Sequence, residues 1–164
     1  MSKLPNQGGA MKALQVFVPE TPVPPMVEHS LLQELSVLVG QEMLNDFDVA
    51  KVVELGVDTG MLERLVDAGL SRGELEFVIP PRTLSHRIKK GQTLNTEESE
   101  RGVRVAKLLL LAEDLFGDKD AAAQWLRKPL HRFEGKSPLD MAHTEPGARL
   151  VEQLIAQANE GYAA

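Results

Sequence analysis

The chain has 164 residues and a net charge of −6, enough for one ordinary domain or two small ones sharing a core. Its hydrophobic fraction of 43% supplies a packed interior, and aromatics at 4% leave that packing to Leu, Val and Ala, which favours helices over a β-sandwich. The absence of cysteine excludes disulfides, thiolate metal sites and cysteine nucleophiles, and fits a cytoplasmic protein. No apolar run reaches the roughly 18 residues of a membrane span. The first residues lack the basic start and long apolar run of a signal peptide.

Residues 1–27 read as a flexible leader. Asn6-Gln7-Gly8-Gly9 is permissive, and Pro19, Pro22, Pro24 and Pro25 forbid a continuous helix, with Met11–Val18 left as a short strand or helix. Ser30 is positioned to cap a helix carrying Leu31, Leu32, Leu35, Val37 and Leu38 and ending at Gly40. A less regular stretch to Gly60 includes a candidate strand over Val49–Leu55. Met61–Ala68 has the apolar face of a helix, with Gly69 as its stop.

Two short segments then form a pair. Ser71 and Glu74 make a capping-box start for a helix with Leu75 and Val78 inward. Pro80 and Pro81 interrupt it, and Pro81 suits the first position of the next helix, which Gly91 closes. Leu84 and Ile88 are expected to face the core, leaving Arg82, Thr83, Ser85, His86, Arg87, Lys89 and Lys90 as a polar, basic surface. Two short helices with such a surface on the second are the pattern of a helix-turn-helix. Arginine grips guanine O6 and N7 with two hydrogen bonds, while threonine, serine and histidine reach other base edges or phosphates. The DNA-contact candidates are therefore Arg82, Thr83, Ser85, His86, Arg87 and Lys89. From Arg82 to Lys107, seven basic residues face only Glu97, Glu98 and Glu100, so an acidic protein still carries a local basic patch. Such units work in pairs on half-sites one DNA turn apart, so a homodimer is expected.

Asn95, with Glu98 in the reciprocal position, caps a long helix ending near Phe116–Gly117. Its Leu108–Leu111 section is apolar all round and belongs in a core or a dimer seam. Asp118 caps a helix through Trp125 that ends before Pro129, and Trp125 suits the anchor of a small helical core. Arg127, Lys128, Arg132 and Lys136 make a second basic cluster, either solvated or set for phosphate or an acidic surface. Ser137-Pro138-Leu139-Asp140 opens a short helix. Thr144 caps the last one, with Val151, Leu154, Ile155 and Ala158 inward and Gly161 as its stop. Tyr162, the only tyrosine, is an interface anchor or folds back on its own helix.

An enzyme is not expected. Ser137, Asp140, His131 and His143 are close in sequence, but Ser137-x-x-Asp140 is explained as a cap, and no zinc, phosphate-loop or dinucleotide motif is present. No cofactor is expected either.

The order of the last third is specific. It comprises Glu97-Glu98-Ser99-Glu100-Arg101, Ala112-Glu113 with Phe116-Gly117, and Trp125-Leu126 before Pro129. Next come Gly135, Ser137-Pro138-Leu139, Thr144-Glu145, Gly147-Ala148 and Glu160-Gly161-Tyr162. This set resembles antitoxins of the Xre/MbcA/ParS family, the partners of RES-domain toxins, over residues 61–164. The resemblance implies a mostly α fold in which a helix-turn-helix DNA-binding part precedes a small helical toxin-binding domain. Taken with the element order, the chain is expected to divide into leader 1–27, helix-turn-helix region 28–94 and toxin-binding domain 95–164. The resemblance also implies steric occlusion of a NAD-degrading RES toxin, repression of the chain's own operon, and operator DNA and the toxin as partners. The toxin-contact candidates are Arg149, Glu152, Gln153, Gln157, Glu160 and Tyr162. The alternative is a stand-alone helix-turn-helix regulator without a toxin partner.

Overall fold

The computed structural model describes the backbone of residues 26–162 and the side chains of residues 31–161. The leader's glycines, prolines and Met11–Val18 lie outside the described residues. Within them every regular element is helical. The helices are α1 (Met26–Val39), α2 (Asp46–Leu55), α3 (Gly60–Asp67), α4 (Pro81–Lys90), α5 (Thr96–Phe116), α6 (Lys119–Arg127), α7 (Pro138–Met141) and α8 (Glu145–Tyr162). None is long and apolar enough to cross a membrane.

The organising element is α5. It packs against α1, α2 and α3 and also against α6 and α8. The all-round apolar section explains this position. Leu108, Leu109 and Leu110 are buried and Leu111 packs half-buried against the same core, so they form the interior of this chain. Each fully buried leucine contributes about 2 kcal/mol over leaving it in water. The core runs unbroken from Leu35 to Ile155, and Trp125 packs against it half-buried, beside the ring of Phe116.

Helix starts follow the sequence signals closely. The Asn95 side chain accepts from the Glu98 amide while the Glu98 carboxylate accepts from the Asn95 amide, both at 2.8 Å. Asp118 accepts from the Ala121 amide at 2.7 Å, and Thr144 Oγ1 from the Gly147 amide at 3.2 Å. Each cap satisfies an amide that the helix itself leaves unpaired.

Five expectations need correction. Residues 46–55 form a helix, not a strand. The β-branched Val49, Val52 and Val53 suggested a strand, but their i, i+3, i+4 spacing packs one helical face on the core. Asn45 also starts that helix, accepting from the Asp48 amide at 3.0 Å. Ser30 is inside α1, not at its start, because no residue from Met26 to Ser30 interrupts the helix. The segment after Ser71 is only a 3-10 turn, Gly73–Leu75, although Ser71 and Glu74 exchange both capping bonds and Leu75, Val78 and Ile79 are buried. Ile88 is 55% exposed. It lines an open groove with Leu62, Val66 and Leu84, and of the Leu84–Ile88 pair only Leu84 packs against the core cluster. Gly161 does not stop α8, which continues to Tyr162, and Gly161 does not take the left-handed turn by which a glycine commonly closes a helix.

One contact was not signalled at all. Arg64 of α3 donates to the carbonyls of Leu38 and Val39, both at 2.7 Å, and so closes the end of α1. Gly40 has φ +79° there, and a Cβ at that position would lie 2.5 Å from the Arg64 guanidinium.

Candidate DNA and partner surfaces

Pro81 begins α4 without losing a hydrogen bond, and Gly91 ends it in the left-handed conformation. Arg82, Ser85, His86 and Lys89 fall at i, i+3, i+4 and i+7, so they form one stripe, and all four are exposed. Among the described residues none of the four has a carboxylate partner. Thr83 is half-buried at the stripe's edge.

Arg87 turns away from the stripe. Its Nε lies 2.9 Å from Glu98 Oε2, its Nη2 donates to Glu98 Oε1 at 3.1 Å, and its Nη1 donates to the Thr93 carbonyl at 3.3 Å. Glu98 is 5% exposed. One carboxylate therefore starts α5 and holds α4 against it. The capping pattern pointed to the first role only, because the partner arginine lies eleven residues upstream. The expectation of a surface arginine at 87 is corrected on that geometry. The loops before α3 and α5 are fixed as well: the Val57 amide donates to the buried Ser99 Oγ at 2.9 Å, and the Leu94 amide to the Val57 carbonyl at 2.8 Å.

On α8, Ala148, Val151 and Ile155 enter the core. The opposite side carries Arg149, Gln153 and Gln157 at i, i+4 and i+8, with Glu160 beyond them, all exposed. Arg149 bonds Glu145 one turn back. Glu152 is half-buried and holds Lys107 of α5 at 2.9 Å, which ties α8 to the central helix. The backbone of Tyr162 forms the last residue of α8, and its side chain lies outside the described residues.

Further side-chain contacts join the helix-turn-helix to the last third. Arg127 of α6 donates through Nη2 to the Gly69 carbonyl at 2.7 Å and to Glu74 Oε2 at 2.9 Å. Its hydrogen bonding pulls the Glu74 carboxyl down from 4.5 to about 2, assisted by the Ser71 amide and hydroxyl and opposed by burial. Phe77 stacks on His143 with ring centroids 4.0 Å apart. Arg104 Nη1 donates to the Ala142 carbonyl at 3.2 Å.

No hydrolytic arrangement forms around Ser137. Its hydroxyl donates to Asp140 Oδ2 at 2.7 Å and accepts from the Asp140 amide at 3.1 Å, so it serves as the start of α7. The same bonds hold the Asp140 carboxyl below its ordinary range. Among the described residues no three of His, Asp and Glu are grouped to hold a metal ion.

A helix-turn-helix with a bare basic stripe is the form of a DNA-binding unit, and the small helical part that follows it presents a polar outer helix face. Residues 48–107 match the family described as the antitoxin Xre-like helix-turn-helix domain, and residues 111–161 match the antitoxin Xre/MbcA/ParS C-terminal toxin-binding domain. The chain is 37% identical over 122 residues to an antitoxin Xre of Pseudomonas putida strain KT2440, covering 74% of this chain and 77% of that one. It is 37% identical over 81 residues to an antitoxin Xre of Photorhabdus laumondii, covering 49% and 55%. It is 30% identical over 122 residues to a Prs ADP-ribosylating antitoxin of Sphingobium strain YBL2, covering 67% and 77%. The chain belongs to the Xre antitoxin family.

Proposed function

We propose that this chain neutralises a cognate RES-domain toxin by laying α8 and its tail over the toxin's NAD pocket. We also propose that a homodimer represses the chain's own operon through two copies of α4, which places the protein in the cytoplasm with its operator. In this reading the working parts are 28–94 and 95–164, α5 belongs to the second and packs against helices of the first, and neither part performs catalysis. NAD is the toxin's substrate and not a cofactor of this chain.

The observation that carries the reading is the outer face of α8. Arg149, Gln153, Gln157 and Glu160 form a continuous solvent-facing polar stripe on a helix whose other side is fixed in the core. Such a face docks without unfolding anything, so little ordering cost opposes binding. The Sphingobium relative's name also links an antitoxin of this kind to ADP-ribosylation, a reaction that consumes NAD. On the DNA side, Arg82, Ser85, His86 and Lys89 are the proposed reading residues. Thr83 is a candidate phosphate contact, and Arg87 holds α4 in position.

The test is co-expression with the product of the adjacent gene, following cellular NAD and growth with and without this chain. NAD should fall and growth stop only when the chain is absent. Removing residues 159–164 should leave folding and DNA binding intact and weaken protection, since Glu160 and Tyr162 are lost. Unchanged NAD in both cultures would refute the RES-type partner.

A further inference from the structure

The segment that follows α6 is fastened at both ends to the first half of the helix-turn-helix. Arg127 grips the Gly69 carbonyl and Glu74 at one end, and His143 stacks on Phe77 at the other. Between them, residues 128–136 form a tight loop. The Leu130 amide donates to the Lys136 carbonyl at 3.0 Å, the Gly135 amide donates to the Leu130 carbonyl at 3.1 Å, and Phe133 is buried beneath. The backbone of this loop is therefore fixed by its own bonds and not left to solvent.

Its cations are free. Lys128, Arg132 and Lys136 are all exposed, and among the described residues none lies within ion-pair distance of a carboxylate. Glu134 is the only acid in the loop, and Asp140, whose charge is felt by Lys136, is already bonded to Ser137. In a helix-turn-helix the first element crosses the phosphate backbone while the second enters the major groove. On the reading of α4 as the DNA-contacting helix, a basic loop attached to residues 69–77 would lie beside the phosphate backbone next to the site that α4 reads.

We propose that Lys128, Arg132 and Lys136 form a second, sequence-blind phosphate-binding patch, through which the toxin-binding domain itself grips DNA. The inference rests on the reading of α4 as the DNA-contacting helix. Phosphate fits the loop better than an acidic protein face does. Protein hot spots centre on desolvated aromatic or apolar anchors. Here Phe133 is buried and Leu130 half-buried, leaving isolated charges on a stiff frame. Isolated charges suffice for phosphates, whose binding is driven by counterion release.

The experiment measures binding of the full chain to two duplexes across a series of KCl concentrations, by fluorescence anisotropy. One duplex covers the DNA upstream of its own gene, and the other is scrambled at the same length. The triple variant Lys128→Ala, Arg132→Ala, Lys136→Ala should flatten the plot of log affinity against log salt by about 3. The loss should be the same on both duplexes, leaving their affinity ratio unchanged. The charge-keeping variant Lys128→Arg, Lys136→Arg should retain the wild-type slope. An unchanged slope in a folded triple variant overturns the proposal, and loss of toxin co-purification with the slope intact would assign the loop to an acidic protein partner instead. If the wild type binds neither duplex, the reading of α4 fails first and takes this patch with it.

Discussion

Of the two arginines on α4, Arg82 ends in solvent and Arg87 ends on a buried carboxylate. Their substitutions should separate cleanly. Arg82→Ala should change unfolding free energy by less than about 0.5 kcal/mol. It should weaken operator binding by about 1–3 kcal/mol if that guanidinium pairs with a guanine. Arg87→Ala should instead destabilise the fold by about 3 kcal/mol, because Glu98 is left charged and buried. Urea denaturation beside anisotropy on the same preparations distinguishes the two, and equal stabilities would remove Arg87 from its structural role. Glu74 gives a pH signature at the same scale. Its carboxyl is depressed from 4.5 to about 2 in the folded chain. The stability it supplies is therefore fully present above about pH 4.5 and is lost as pH falls towards 2. Glu74→Gln should lower the melting temperature at neutral pH and flatten its dependence on pH in that window. A variant with the wild-type acid profile would show that the Arg127–Glu74 pair is not formed in solution.

Among the elements, the join of α7 to α8 leaves no room for a side chain at Gly147. A Cβ on Gly147 would stand 2.2 Å from the Met141 carbonyl oxygen, which is backbone and does not swing aside. Gly147→Ala should cost about 2 kcal/mol by overpacking, read from chemical denaturation, and should weaken toxin protection by tilting α8. Stability equal to wild type would mean that the two helices part easily. The elements also show what a sequence makes visible. Starts marked by a side-chain cap, at Asn95, Asp118, Ser137 and Thr144, were legible because each signal lies within three residues of its effect. The identity of α2 was not. Its valines carry strand propensity, and the packing of three of them on one helical face depends on α5, which lies some fifty residues downstream. Ile88 was misassigned for a related reason. Its spacing from Leu84 is helical, but whether anything covers the second turn of α4 is a matter of tertiary arrangement.

Across the whole molecule, α5 packs against helices of both working parts, so the chain is expected to unfold as one cooperative body. Leu109 is fully buried at the middle of α5. Leu109→Ala should cost about 3 kcal/mol and lower one common transition, seen at the same midpoint by far-ultraviolet circular dichroism and by Trp125 fluorescence. Two separated midpoints would show that the halves melt independently. The candidate sites were legible in part at this scale. The stripe on α4 and the outer face of α8 follow from helical spacing, which the sequence displays. The inward turn of Arg87 and the hold of Lys107 on Glu152 join residues eleven and forty-five positions apart, and no local pattern records such a pairing. The Arg87–Glu98 pair has one further consequence. Because α4 is held by a residue off its exposed stripe, Arg82, Ser85, His86 and Lys89 can be exchanged without disturbing how the helix is seated. Relatives could thus diverge towards new operators while inheriting an unaltered scaffold, and a designer could regraft those four positions for the same reason.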